Sequence, residues 1–168
     1  MVLLYWMVGT KIERGVIHMK LKKLFFILFV STSLMTVSQS AFAEIGWGDT
    51  QSTAVLIPPG YGYGSTIENS SDSEWTYYYN DTGKSLVLRP TLESPSGLNY
   101  DFFFLTYKAN GEQDMLMMAT DNGAGEIDKV DIILRPGEKV YFNVIGHDST
   151  QNDPAARYSF DLKLIYSE

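Results

Sequence analysis

Apolar and polar residues alternate along the last part of the chain. Every second position from 158 to 166 is apolar or aromatic: Tyr158, Phe160, Leu162, Leu164 and Tyr166. The positions between them include Ser159, Asp161 and Lys163. This alternation predicts a β-strand that packs one face on a core and exposes the other.

A second alternating region surrounds a Pro-Gly sequence. The apolar positions are Val130, Ile132 and Leu134 before it, and Val140, Phe142 and Val144 after it. Between them lies Arg135-Pro136-Gly137-Glu138, which suits a type II turn because Pro fixes φ and Gly accepts a positive φ. The pattern predicts a β-hairpin.

Earlier segments predict further strands. Residues 100–107 are apolar on both faces, as in a central strand, and residues 85–92 place Leu86, Leu88 and Leu92 inward. Pro90 in the latter segment predicts a sheet edge or a bulge. Two short strands are predicted at 53–57 and 65–68, with the glycine-rich residues 60–64 as a flexible loop between them.

The strand at 75–79 has two possible registers. Trp75, Tyr77 and Tyr79 lie on one face, and Thr76 and Tyr78 lie on the other. The larger hydrophobic mass favours burial of the first set. With no helical periodicity after Ala43, the pattern predicts an all-β chain, an antiparallel and jelly-roll-like β-sandwich of about seven to nine strands.

Residues 19–43 have the features of a secretory signal peptide. Lys20, Lys22 and Lys23 precede the apolar run 24–30, and the segment ends in Ala41-Phe42-Ala43. We expect cleavage near Ala43, secretion, and a single domain over residues 44–168. The alternative is an amphipathic core helix. Such a helix needs polar residues at helical spacing, and the run 24–30 has none. Residues 1–18 are interpreted as a mis-assigned leader or as an extension of the basic n-region.

Charge and composition narrow the function classes. Five of the 13 basic and one of the 20 acidic residues precede residue 44, which leaves 8 basic and 19 acidic residues and a net charge of −11 for residues 44–168. We therefore expect neither nucleic acid nor anionic membrane lipid as a partner. The chain has no Cys, so packing without disulfides must stabilise it.

Candidate chemistry is sparse. The only histidine after residue 43 is His147, in a polar loop, and a hydrolase built on His147 with Asp148 or Asp153 is the catalytic alternative. Oxygen ligands near predicted strand ends make a structural calcium site the candidate cofactor site; they are Asp72, Glu74, Asn99, Asp101 and Asp121. The simpler interpretation of these acidic residues is that they are solvated.

Aromatic residues are the candidate ligand-binding groups. A ring with a polar tip stacks on sugars or on proline-rich peptides, and the candidates are Trp47, Tyr61, Tyr63, Tyr77 and Tyr79. The alternative is that Tyr77 and Tyr79 belong to the core and that Tyr61 and Tyr63 cover an edge of the sandwich.

Taken in order, several segments resemble the bacterial pre-peptidase C-terminal domain family. The segments are an opening with Asp49 and Ala54, Asp72-Ser73-Glu74-Trp75-Thr76-Tyr77-Tyr78, Asn99-Tyr100-Asp101-Phe102, residues 134–144, and the closing Tyr158-Ser159-Phe160. Glu74 stands where the family usually has Asp, and Asn99 replaces the first Asp of a D-x-D pair. The resemblance implies a secreted β-sandwich of the kind appended to proteases and collagenases, with Thr76 and Tyr78 inward.

The function predicted from these observations is non-catalytic. We expect a secreted module that binds an extracellular protein or polysaccharide, without membrane insertion after signal cleavage. The first alternative is an accessory of a co-secreted protease, as a folding aid or inhibitor, by analogy with where the resembling family is found. The second is the small hydrolase that uses His147.

Overall fold

The computed structural model describes residues 48–167, and nearly all of its regular structure in that range is β-strand. One short 3₁₀ helix, Gln51–Thr53, begins the described part. The strands are β1 (Val55–Leu56), β2 (Tyr61–Ile67), β3 (Ser73–Tyr79), β4 (Leu86–Glu93), β5 (Tyr100–Tyr107), β6 (Gln113–Met118), β7 (Ile127–Lys129), β8 (Ile132–Leu134), β9 (Lys139–Gly146) and β10 (Asp153–Ser167).

The strands form two sheets. Sheet A has the order β1-β3-β9-β5-β6, and sheet B has the order β2-β10-β4-β7, with β8 also paired to β4. Every strand pair is antiparallel except β1 with β3. The predicted all-β sandwich is therefore confirmed. It has ten strands rather than seven to nine, because β7 and β8 are separate short strands that share β4 as a partner.

Aromatic side chains join the sheets in the core. Phe102 on β5 and Phe142 on β9 both contact Phe160 on β10, with ring centroids 5.5 Å and 5.4 Å apart, and all three are fully buried. The Phe102–Phe160 pair is edge-to-face, the geometry that aromatic quadrupoles favour. Alternate residues of β5, β9 and β10 thus supply the contact between sheet A and sheet B without disulfides.

The predicted hairpin around Pro136 is wrong, although the turn is present. Gly137 has φ 78°, and the Glu138 amide donates to the Arg135 carbonyl over 3.0 Å. However, β8 pairs with β4 in sheet B and β9 pairs with β3 and β5 in sheet A. The turn therefore carries the chain from one sheet to the other. Alternation showed which residues face the core but not which sheet each strand joins.

Two other local predictions are also corrected. Pro90 lies in β4 at neither an edge nor a bulge. On one side it pairs with β10, and on the other side the pairing of β4 with β8 ends at Leu88 and its pairing with β7 begins at Thr91. Because neither of these two strands pairs with Pro90, the amide hydrogen that proline lacks is not needed for a hydrogen bond between strands.

The predicted flexible loop at 60–64 is mostly β2, and a Cβ at Gly62 would collide with Asp161 of β10.

The register of β3 is the opposite of what hydrophobic mass favours. Thr76 and Tyr78 are 1% and 8% exposed on the inner face, whereas Tyr79 is 45% exposed on the outer face. This is the register that the family resemblance implies. Thr76 pairs directly with the buried Phe142 of β9, so the two side chains share the inner face of sheet A.

The last strand follows its predicted alternation only in part. Tyr158, Phe160 and Leu162 are buried, as predicted, but Leu164 and Tyr166 are 48% and 53% exposed. A register irregularity lies between Leu164 and Tyr166.

In residues 48–167 no helix is long and apolar enough to cross a membrane. The predicted leader 1–18, signal peptide 19–43 and cleavage site near Ala43 lie outside the described residues.

Candidate functional site

The outer face of sheet A carries a group of tyrosines on neighbouring strands. In one row across the sheet, Tyr79 of β3 and Tyr107 of β5 flank Lys139 of β9. In the next row, Tyr77 of β3 pairs with Tyr141 of β9. We call these five residues, Tyr77, Tyr79, Tyr107, Lys139 and Tyr141, the tyrosine face. They come together because every second residue of β3, β5 and β9 points away from the core.

The rings of the tyrosine face contact one another at an angle. The centroid of Tyr141 lies 5.8 Å from that of Tyr77 and 5.7 Å from that of Tyr107, with interplanar angles of 37° and 78°. The Lys139 Nζ lies 5.6 Å from the centroids of both Tyr77 and Tyr141. These distances permit cation–π attraction, which orders the lysine beside the rings.

A groove of about 360 Å³ opens on the tyrosine face. Its lining includes Tyr79, Tyr107, Lys139 and Tyr141, together with Gln51 from the 3₁₀ helix. The Gln51 side-chain amide donates to the Tyr107 hydroxyl over 2.9 Å. The groove therefore combines ring surfaces with hydrogen-bonding groups that belong to four separate segments of the chain.

The five aromatic residues predicted as ligand-binding groups do not form one site. Tyr77 and Tyr79 lie together on the tyrosine face. Tyr63 lies on sheet B and packs against Tyr158 and Phe160, so its ring is part of the inner packing. Tyr61 is 67% exposed on β2, opposite Leu162. Trp47 lies outside the described residues.

Sequence reasoning missed Tyr107, Lys139 and Tyr141. The signal for Tyr141 was present, because it lies between Val140 and Phe142, two positions predicted to face inward. The same alternation places Lys139 outward. What the sequence could not supply is the strand order β3-β9-β5, which brings these residues beside Tyr77 and Tyr79.

Three carboxylates meet at the inner face of sheet A. Ligand atoms of Asp49, Asp72 and Glu74 lie within 4.8 Å of one another, and we call these three residues the inner cluster. Glu74 is 3% exposed, and the Ser65 hydroxyl of β2 donates to its Oε1 over 3.2 Å. Glu74 Oε2 and Asp49 Oδ1 are buried without a hydrogen-bond partner.

Burial dominates the electrostatics of the inner cluster. The pKa of Glu74 is raised to about 7, mainly by desolvation and also by the negative charges of Asp72 and Asp49, while the hydrogen bond from Ser65 lowers it. Two buried carboxylate oxygens without a donor and three acids within 4.8 Å are a costly arrangement without a cation. An all-oxygen set of this kind suits Ca²⁺.

A second group of titratable residues lies on the outer face of sheet A. Asp101 of β5, Asp121 of the β6–β7 connection and His147 after β9 have ligand atoms within 4.8 Å of one another, and we call them the outer cluster. His147 Nδ1 lies 3.0 Å from Asp101 Oδ2 and 3.3 Å from Asp121 Oδ2. The Asn99 side-chain amide donates to Asp121 Oδ1 over 3.2 Å.

The five residues predicted as calcium ligands are therefore divided between two places. Glu74 pairs with Val144 on β9, and Asp101 pairs with the next residue, Ile145. Directly paired residues point to the same side and successive residues to opposite sides, so Glu74 and Asp101 lie on opposite faces of sheet A. One ion cannot bind both. Asp72 joins Glu74, whereas Asn99 and Asp121 join Asp101.

His147 has partners other than those of the hydrolase alternative. Its Nδ1 faces Asp101 and Asp121, while Asp148 accepts hydrogen bonds from Thr150 and Asp153 accepts one from the Ala155 amide. The hydrogen bond and charge of Asp101 raise the pKa of His147. Among hydrogen bonds of residues 48–167, none joins the His147 ring to a hydroxyl group. In the same range no hydrogen bond joins His147 to Asp148 or Asp153, the partners named in the hydrolase alternative.

Comparisons with known proteins add three structural similarities. The pre-peptidase C-terminal domain of a collagenase from Bacillus anthracis is similar over 66% of this chain and 94% of its own, at 14% identity and a TM-score of 0.49. A CocE/NonD family hydrolase from Staphylococcus aureus is similar over 64% of this chain, at 8% identity and a TM-score of 0.34. The VP2 subviral particle of infectious bursal disease virus is similar over 61% of this chain, at 13% identity and a TM-score of 0.36.

This chain spans less than one third of the hydrolase chain and of the VP2 chain, at 31% and 28% of their lengths. No model of a protein family matches the sequence. No curated protein sequence matches it either.

Proposed function

We propose that this chain is a secreted, non-catalytic β-sandwich module that binds an extended segment of an extracellular protein on its tyrosine face. The observation that carries the proposal is the groove of about 360 Å³, in which three tyrosines, Lys139 and Gln51 line one continuous surface. Tyrosine supplies a large contact area and a polar tip at a low cost in conformational entropy. Such residues are typical of recognition surfaces.

The angle between the rings favours an extended polypeptide, which can lie in a groove, over a ligand that stacks on a flat surface. Tyr141 meets Tyr107 at 78°, so the two rings form walls of a groove rather than one flat platform. Proline-rich segments in the polyproline II conformation dock in aromatic-lined grooves of this kind. Lys139 and the Gln51 side chain would donate to the peptide carbonyls that such a segment leaves free.

A neutral polysaccharide is the competing ligand, because sugar rings also stack on tyrosine. Binding assays on immobilised collagen, which is proline-rich and extended, and on chitin and cell wall separate the two. We expect retention on collagen, at least a tenfold loss for Tyr141→Ala, and no change for the control Tyr61→Ala, whose side chain is exposed on sheet B. Retention on chitin or cell wall alone would indicate that the ligand is a polysaccharide and not a protein.

Binding that Tyr141→Ala leaves intact would overturn the assignment to the tyrosine face. Failure on all three matrices, together with tight association to a co-secreted protease, would favour the accessory role. That association is measured by titrating the purified chain against the protease while following proteolytic activity. An unchanged activity at saturation would indicate a binding partner rather than an inhibitor.

We also propose that the inner cluster binds a structural Ca²⁺. Glu74 Oε2 and Asp49 Oδ1 are buried oxygens without a partner, and Asp72 adds a third carboxylate from the β2–β3 connection. A bound cation would join the segment before β1 to the start of β3. It would satisfy oxygens that the protein itself leaves without donors.

A thermal melt with and without chelator tests the calcium proposal. Ligand at a hundredfold excess over its Kd stabilises a folded protein by about 2.7 kcal/mol, which corresponds to a rise in Tm of several degrees. We expect that rise with CaCl₂ for the unmodified chain and its loss in Glu74→Gln. The control Asp121→Asn, on the opposite face of sheet A, should keep it. An unchanged Tm for the unmodified chain would overturn the proposal.

A further inference from the structure

The outer cluster differs from the inner cluster in containing a nitrogen ligand. His147 supplies an imidazole and Asp101 and Asp121 supply carboxylates, from three separate segments of the chain. Hard cations such as Ca²⁺ prefer oxygen ligands, whereas imidazole with carboxylate is a ligand set of Zn²⁺ and similar transition metals. The chemistry of this cluster therefore points to a different metal.

The distances in the cluster agree with a tetrahedral centre. In a tetrahedron with metal–ligand bonds of about 2.0 Å, neighbouring ligand atoms are about 3.3 Å apart. His147 Nδ1 lies 3.0 Å from Asp101 Oδ2 and 3.3 Å from Asp121 Oδ2. The Nδ1 forms a hydrogen bond with Asp101 Oδ2, whereas a metal ion would bind all three atoms at once.

Buried oxygens without partners give an independent indication of a ligand. Asp101 is 4% exposed, and its Oδ1 has no hydrogen-bond partner although its Oδ2 faces His147. The Oδ1 of Asn99, whose amide group contacts Asp121, is also buried without a partner. Unsatisfied buried oxygens cost free energy, and a cation beside them reduces that cost.

The charge balance at the outer cluster also favours a cation. Asp128 is 2% exposed and adds a third carboxylate, whose charge interacts with those of Asp121 and Asp101. In the described part of the chain, no ion pair joins Asp101, Asp121 or Asp128 to a lysine or an arginine. Among the ion pairs of residues 48–167, His147 is the only basic group beside Asp101 and Asp121.

We propose that Asp101, Asp121 and His147 form a Zn²⁺ site on the outer face of sheet A. The ion would bind His147 Nδ1 and one oxygen from each carboxylate, with water in the fourth position, because the His147 side chain is 48% exposed. It would fasten the β6–β7 connection and the segment after β9 to the start of β5. The site is separate from both the tyrosine face and the inner cluster.

The test uses Co²⁺ as a spectroscopic substitute for Zn²⁺ on the purified, chelator-treated chain. We expect the visible absorption bands of tetrahedral Co²⁺, displaced by one equivalent of Zn²⁺. His147→Asn should remove the bands, and Asp121→Asn should weaken binding at least tenfold. The control Glu74→Gln, in the inner cluster on the opposite face of sheet A, should retain them.

Absence of the bands in the unmodified chain would overturn the proposal. So would bands that persist in His147→Asn. Because loss of the fold could also remove them, circular dichroism of each variant is recorded in chelator. His147 and Asp121 lie at the surface, and we expect both variants to fold without metal.

Discussion

The two faces of sheet A use the same kinds of residues for opposite purposes. On the inner face, Phe102 and Phe142 pack against the other sheet. On the outer face, Tyr77 and Tyr107 pack against Tyr141, and Tyr79, Tyr107 and Tyr141 line a groove. Carboxylates are divided in the same way, since Glu74 faces inward and Asp101 faces outward. The position of a residue in the strand, rather than its type, decides whether it stabilises the fold or is free to bind.

Neighbouring phenylalanines on β5 give the largest expected contrast between the faces. Phe102 is fully buried against Phe160, whereas Phe103 is half-buried on the outer face. We expect Phe102→Ala to lower the free energy of unfolding by about 3 to 5 kcal/mol, because it leaves a cavity in the core. Phe103→Ala should lower the free energy of unfolding by about 1 kcal/mol, because only part of this side chain is removed from water. Urea denaturation measures both, and equal losses would contradict the assignment of faces.

The same contrast explains what the sequence could and could not predict. Alternation was sufficient for β9 and for the buried part of β10, because Val140, Phe142 and Phe160 are apolar and most of their neighbours along the strand are polar. It failed on β3, where both sets contain aromatic residues and the buried one is the smaller. The resemblance to a known family carried the correct register there, since it preserves an arrangement that composition alone does not show.

Contacts between distant segments were beyond local sequence patterns. The hairpin prediction failed because β8 and β9, although joined by a tight turn, belong to different sheets. The five predicted metal ligands were separated for a similar reason, because β3 and β5 flank β9 and present Glu74 and Asp101 on opposite sides. Strand order is set by the whole core, so the composition of both clusters and of the tyrosine face followed only from the structure.

The pH dependence of stability should sharpen the contrast between the inner and outer clusters. Glu74 has an ordinary pKa of 4.5, and burial raises it to about 7 in the fold, so the folded chain binds this proton more tightly than the unfolded chain. Its contribution to stability is present below pH 4.5 and is lost as the pH rises through 7. In chelator, we expect the free energy of unfolding to fall by up to about 3 kcal/mol across this range.

Urea denaturation at several pH values in chelator measures this effect. The side chain in Glu74→Gln does not titrate, so most of the decrease in the free energy of unfolding with pH should disappear in this variant. Asp121→Asn, in the outer cluster, should show the same decrease as the unmodified chain. Added Ca²⁺ should reduce the decrease in the free energy of unfolding with pH, because the cation favours the ionised carboxylate. A slope that is the same in Glu74→Gln and in the unmodified chain would show that burial of this carboxyl group is not its cause.

The smallest expected effect concerns the attachment of the 3₁₀ helix to the tyrosine face. The Gln51 amide donates to the Tyr107 hydroxyl, and Tyr107→Phe removes that acceptor while it keeps the ring against Tyr141. We expect a loss of about 0.5 to 1.5 kcal/mol in stability, the usual net value of one hydrogen bond.

Gln51→Ala should have a similar effect. The double variant should lose no more than either single one, because both changes remove the same bond. Additive losses, measured by urea denaturation of all three variants, would show that Gln51 and Tyr107 act independently. The segment before β1 would then border the groove without being held there by this contact.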